Sequence, residues 1–122
     1  MKGTKKMNTT ENNEVTYKPI REFFIAGVQF HAMNKVLDEL KVDDRFVLIL
    51  EPTNPYDSNA VRIEYSGNDG QVMCGYVPKK FSSEISAAFE VGKKLECVLV
   101  ELNKTAKPWE RAKVEIREVE NA

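Results

Sequence analysis

The chain has 122 residues, 42% of them hydrophobic, and a formal net charge of −1. That length sustains one compact domain with its own core and not two, and the charge excludes the overall positive field of a non-specific duplex binder, so any nucleic-acid contact has to be local. The single histidine, His31, and the two cysteines, Cys74 and Cys97, lack paired CxxC spacing and supply too few ligands for a zinc cluster or a histidine-based triad. Set in apolar runs, the cysteines read as core residues. No apolar run reaches the roughly 20 residues a spanning helix needs, and no hydrophobic signal core follows the first lysines, so a cytoplasmic protein is expected.

Residues 1–17 mix Lys2, Lys5 and Lys6 with Thr9, Thr10 and the cluster Glu11-Asn12-Asn13-Glu14, and show neither strand nor helix period. They read as a flexible tail ahead of a domain over residues 18–122. A strand is expected from Ile20 to Phe30, with Gly27 as a bulge or close-approach point. Met33, Val36, Leu37 and Leu40 follow i, i+3, i+4, i+7 spacing and predict a short amphipathic helix. Arg45 to Leu50 is strongly apolar, and Ala60 to Tyr65 alternates Val61, Ile63 and Tyr65 with Arg62 and Glu64, so both read as strands.

Ser66-Gly67-Asn68-Asp69-Gly70 is a hairpin turn with glycines available for positive φ, and Gln71 to Val77 returns as a strand. Pro78 opens a second helix with Phe81, Ile85, Ala88 and Phe89 on one face, Ser82, Ser83 and Glu84 in its first turns, and Gly92 as its stop. Leu95 to Leu102 and Trp109 to Val119 complete the strands, with Val114, Ile116 and Val119 as buried positions of the last. The whole is mainly β with two short helices, a small antiparallel barrel or curled sheet whose ends the helices plug.

Between the strands ending at Leu50 and beginning at Ala60 lies the most information-rich stretch, Glu51-Pro52-Thr53-Asn54-Pro55-Tyr56-Asp57-Ser58-Asn59. Pro52 and Pro55 fix φ, remove amide donors and push Glu51 and Asn54 toward extended geometry. Asn54, Asp57 and Asn59 are able to satisfy the loop internally through Asx turns. The same loop presents Tyr56 as a flat stacking face and Asp57 as a hydroxyl acceptor on a stiff support. Residue types alone leave the structural and the ligand-binding readings both open.

Three segments decide between them. Ala26-Gly27-Val28-Gln29-Phe30, then Leu48-Ile49-Leu50-Glu51-Pro52 running into Asn54-Pro55-Tyr56-Asp57-Ser58-Asn59-Ala60-Val61, then Val72-Met73-Cys74-Gly75-Tyr76-Val77-Pro78, in this order, resemble the HIRAN domain over roughly residues 20–119. The resemblance implies an OB-like β-barrel and a non-catalytic module of DNA repair or replication-fork processing that binds single-stranded DNA at its 3′-hydroxyl end. Tyr56 and Asp57 then fall at the base-stacking and hydroxyl-binding positions, with Phe30 as a second stacking surface and Trp109 as either a pocket aromatic or a barrel-end plug. Two positions depart from the family: Gln29 stands where it has arginine and Tyr76 where it has histidine, each a neutral hydrogen-bond donor without charge. Lys79 matches the family's lysine and reads as a phosphate contact or a solvated side chain, Asn54 adds a neutral donor, and His31 is either a strand-end surface residue or a further contact.

The competing expectation is a protein-interaction barrel that has lost the DNA pocket, motivated by the net charge, Gln29 and Tyr76. An enzyme holding a divalent ion on Asp57 with Asp43, Asp44 or Glu51 needs several converging oxygens, of which only Asp57 has a positional argument. No catalytic residue, metal or cofactor is therefore expected.

Overall fold

Alternation of side chains decides which residues face inward, and the strand Ala112–Val119 shows it best: Ala112, Val114 and Ile116 are buried while Lys113, Glu115 and Arg117 are not. The computed structural model describes residues 15–28 and 31–120; of the tail expected over residues 1–17, the first fourteen lie outside the described residues, and Tyr17 already belongs to the first strand. Within them, six strands run β1 (Tyr17–Phe24), β2 (Arg45–Leu50), β3 (Val61–Gly67), β4 (Gly70–Tyr76), β5 (Leu95–Leu102) and β6 (Ala112–Val119), with one α-helix, α1 (Lys79–Glu90). They form one sheet in the order β1-β6-β5-β2-β3-β4, every ladder antiparallel. No helix among the described residues is long and apolar enough to cross a membrane.

The core is a single cluster that draws Phe23, Ile25, Phe46, Ile63, Leu99 and Ile116 from the sheet, Ile85 from α1, and Met33, Val36 and Leu40 from the segment after β1. Cys74 and Cys97 are free and buried within it, as their apolar surroundings predict. Burial pushes the Cys74 thiol up to about 12 and raises that of Cys97 as well, so neither is a thiolate at neutral pH.

The ladders do not close the sheet into the expected barrel: β1 and β4 remain its edges. The chain beyond β1 nonetheless meets the last residue of β4 at one bridge, where Ala26 N donates to Tyr76 O and Tyr76 N to Ala26 O, each at 2.9 Å. The strand expected through Phe30 therefore ends at Phe24, and Gly27, at φ +73°, turns the chain out of the sheet.

The helix expected over Met33–Leu40 is a short 3-10 segment, Ala32–Lys35, followed by turns. Its buried side chains are the predicted ones, but Val36 N bonds Met33 O and Glu39 N bonds Val36 O, both i to i+3. So short a run makes too few bonds to offset α-helix nucleation, and tight turns already bring Met33, Val36 and Leu40 to the core. The last strand likewise starts at Ala112 and not Trp109, because Pro108, without an amide donor, opens a 3-10 turn over Pro108–Glu110. The second helix follows expectation. Gly92, at φ +86°, ends α1 in a Schellman motif, Gly92 N donating to Phe89 O and Lys93 N to Ala88 O.

Near the start of β2, Tyr65 Oη donates to Asp44 Oδ2 at 2.8 Å and Lys41 N to the same oxygen at 3.0 Å. Burial alone would raise Asp44, but these bonds and the Lys41 charge outweigh it and hold the carboxyl below its ordinary value, while burial and Asp44 together push Tyr65 up to about 12. Tyr65→Phe is expected to lower unfolding free energy by about 1 kcal/mol in urea titration, a partly exposed charge-assisted bond being worth less than a buried one.

Candidate functional site

Two prolines leave the loop between β2 and β3 short of donors, and most of its remaining amides are satisfied from within. Glu51 N donates to Ala60 O at 2.9 Å across the base of the loop. Asn54 is the hub: its Oδ1 accepts Tyr56 N at 2.8 Å and Asp57 N at 3.1 Å, and its Nδ2 donates to Glu51 Oε1 at 2.8 Å. Asp57 adds an Asx turn of its own, Oδ1 accepting Asn59 N at 2.9 Å. The loop is thus preorganised, with Tyr56 at its tip 85% exposed and unused by packing.

The other Asp57 oxygen, Oδ2, accepts from Ser82 Oγ at 2.6 Å. Ser82 also lies 2.9 Å from Lys79 O, but a hydroxyl has one hydrogen, and the shorter, charge-assisted bond takes it. The Ser82 bond first and then the Asn59 amide outweigh the effect of burial and, with a lesser contribution from the Lys79 charge, hold Asp57 below the ordinary carboxylate value. Asp57 is therefore an ionised acceptor with one donor on each oxygen and lone pairs left over.

Sequence reasoning placed Ser82 only in the first turns of the helix. The structure buries it, 1% exposed, on a face shared with Ile85 and Ser86. The available signal was a serine at i, i+3, i+4 spacing from those residues, a polar group inside an apolar stripe that must find a partner.

An open cleft of about 270 Å³ forms beside this loop. Ala26, Gly27, Ala60 and Val77 supply its apolar wall, and it brings together five of the expected site residues: Asn54, Tyr56, Asp57, Tyr76 and Lys79. Gln29 and Phe30 lie outside the described residues. Trp109 does not line the cleft; it is 48% exposed in the turn before β6, with Lys107 Nζ 5.8 Å from its ring centre. The His31 ring packs edge-on against Tyr76 at 5.6 Å between centres, next to Gly27.

Charge around the cleft is divided. Lys79 is exposed and forms no ion pair among the described residues. Arg62 is occupied by two carboxylates, Nη1 donating to Glu51 Oε2 at 3.1 Å and Nε lying 2.7 Å from Glu64 Oε2 without hydrogen-bond alignment. Tyr76 Oη donates to Glu51 Oε1 at 2.8 Å. Burial would raise Glu51, yet the bonds from Asn54 and Tyr76 and the Arg62 charge prevail and lower it. Asp43 and Asp44 precede β2 and Glu51 follows it, so these acids do not converge on a cation, and among the described residues no group of three His, Cys, Asp or Glu does.

A family model described as the HIRAN domain matches residues 21–116. A crystal structure of a Lactobacillus plantarum protein solved as a structural genomics target has a TM-score of 0.72 at 17% identity, over 88% of this chain and 99% of that one. The HIRAN domain of human HLTF has a TM-score of 0.58 at 12% identity, over 89% of this chain and 80% of that one. At such identities these likenesses establish the fold alone. No curated protein matches the chain.

Proposed function

The chain belongs to the HIRAN domain family, generally a family of DNA-binding modules, and from that premise we propose that it is a non-catalytic cytoplasmic module that holds the 3′-hydroxyl end of single-stranded DNA during repair or replication-fork processing. The observation that carries this reading is the Asp57 carboxylate, braced by Ser82 on the same loop as the 85% exposed Tyr56. A terminal hydroxyl donates to the free lone pairs of Asp57, whereas a phosphate at that point sets one anion against another. Tyr56 stacks a base without regard to its identity, and Lys79 meets the phosphate behind it. Gln29, Phe30 and Asn54 are secondary contacts in this reading, which does not draw on Trp109 outside the cleft.

Fluorescence anisotropy with a short labelled oligonucleotide tests it directly. We expect about tenfold tighter binding with a 3′-hydroxyl than with a 3′-phosphate, equivalent to about 1.4 kcal/mol, and a shallow salt dependence set by one or two phosphate contacts. Equal affinity for the two ends removes the proposal. The protein-interaction reading draws support from one observation, the engagement of Tyr76 and Arg62 by Glu51, and gains if oligonucleotide binding is absent or indifferent to salt.

A further inference from the structure

Tyr76 closes β4 and is one of the residues lining the cleft that also holds Asp57 and Tyr56. Its place invites a role as a neutral hydroxyl donor to phosphate, but that hydroxyl is committed. Its single hydrogen goes to Glu51 Oε1 at 2.8 Å, and Glu51 is itself fixed by Asn54 Nδ2 at 2.8 Å and Arg62 Nη1 at 3.1 Å. Turning the hydroxyl to a phosphate would break a charge-assisted bond and bring a second anion toward the Glu51 carboxylate.

The ring is held at both ends. Its backbone exchanges two hydrogen bonds with Ala26, and its hydroxyl is pinned by Glu51. The His31 ring packs against it, steeply inclined, at 5.6 Å between centres. An aromatic ring fixed in this way loses little conformational freedom when a base packs on it, which is what a stacking surface requires. We propose that Tyr76 serves the cleft through its ring, as a base-stacking wall locked by Glu51, and not through its hydroxyl. The inference rests on the DNA-end reading of the cleft, and Glu51 becomes its positioning residue.

Tyr76→Phe and Tyr76→Leu separate the two roles in anisotropy titrations with a 3′-hydroxyl oligonucleotide. Tyr76→Phe keeps the stacking ring and loses only the Glu51 lock, so it is expected to bind about twofold more weakly than the unaltered chain, and Tyr76→Leu to weaken binding about fivefold to a hundredfold, the range of base–aromatic stacking. On an oligonucleotide made abasic at one of its last two positions, the Tyr76→Leu loss should vanish, which a merely structural defect would not do. Tyr76→Phe losing as much as Tyr76→Leu, or Tyr76→Leu losing equally on intact and abasic strands, overturns the assignment. If the unaltered chain prefers the 3′-hydroxyl end but shows no such coupling, only the Tyr76 role falls. If it binds no oligonucleotide, the DNA-end reading falls and this one with it.

Discussion

Gly75→Ala is expected to cost about 3 kcal/mol of unfolding free energy, the upper part of the usual range for overpacking. A Cβ at Gly75 would stand 2.3 Å from Ala26 O and 2.7 Å from Ile25 Cγ2. Neither neighbour is free to yield. Ala26 O is the acceptor of Tyr76 N, and Ile25 is 1% exposed in the core, so relief requires opening the bridge between Ala26 and Tyr76. Gly75 lies outside the positive-φ region, which makes the cost steric and not torsional. Gly92→Ala gives the contrast: at φ +86° with nothing within 4 Å of the new Cβ, its cost is the left-handed backbone penalty alone, about 1 kcal/mol. Urea unfolding should rank the two in that order. A Gly75→Ala loss no greater than that of Gly92→Ala would show that the close approach at the bridge relaxes cheaply. Because Ala26, Gly27 and Tyr76 also line the cleft, oligonucleotide binding should weaken in Gly75→Ala even where the variant remains folded.

Local periodicity and turn chemistry made much of this architecture legible, and non-local pairing hid the rest. The hairpin at Gly67 and Gly70, the stop at Gly92 and the alternation of Val114 and Ile116 follow from residues within a few positions of one another. Met33, Val36 and Leu40 were correctly read as inward-facing, but spacing of three and four residues fits a chain of tight turns as well as an α-helix, and only the hydrogen bonds distinguish them. The end of β1 at Phe24 was invisible because Ile25 to Phe30 continues apolar, and the bridge that draws Ala26 aside lies fifty residues away in sequence. The loop's Asx turns were legible at Asn54 and Asp57. Its outside supports were not: Ser82 and Tyr76 each bond a loop carboxylate from twenty-five positions away, and no local pattern encodes that meeting.

Asp57→Asn is expected to abolish the preference for a 3′-hydroxyl over a 3′-phosphate while leaving the fold and most of the binding intact. The amide keeps the shape and one acceptor oxygen, but it carries no charge to repel a phosphate, so discrimination falls from about tenfold to about onefold. Asp57→Ala goes further. It strips the partner from Ser82, whose hydroxyl is buried, and from Asn59 N, so lost loop order adds to lost recognition. The pH profile carries a separate sign. The native carboxyl of Asp57 is held below its ordinary value of 3.8 by Ser82 and the Asn59 amide, so it stays ionised throughout the neutral range. Its stabilising bonds are fully present above that value and are lost only as pH falls through the depressed one. Affinity for a 3′-hydroxyl oligonucleotide should therefore be flat from about pH 8 to about pH 5, above the ordinary range of carboxylate titration, while the preference over a 3′-phosphate narrows as that monoester, whose second pKa is about 6, takes up a proton.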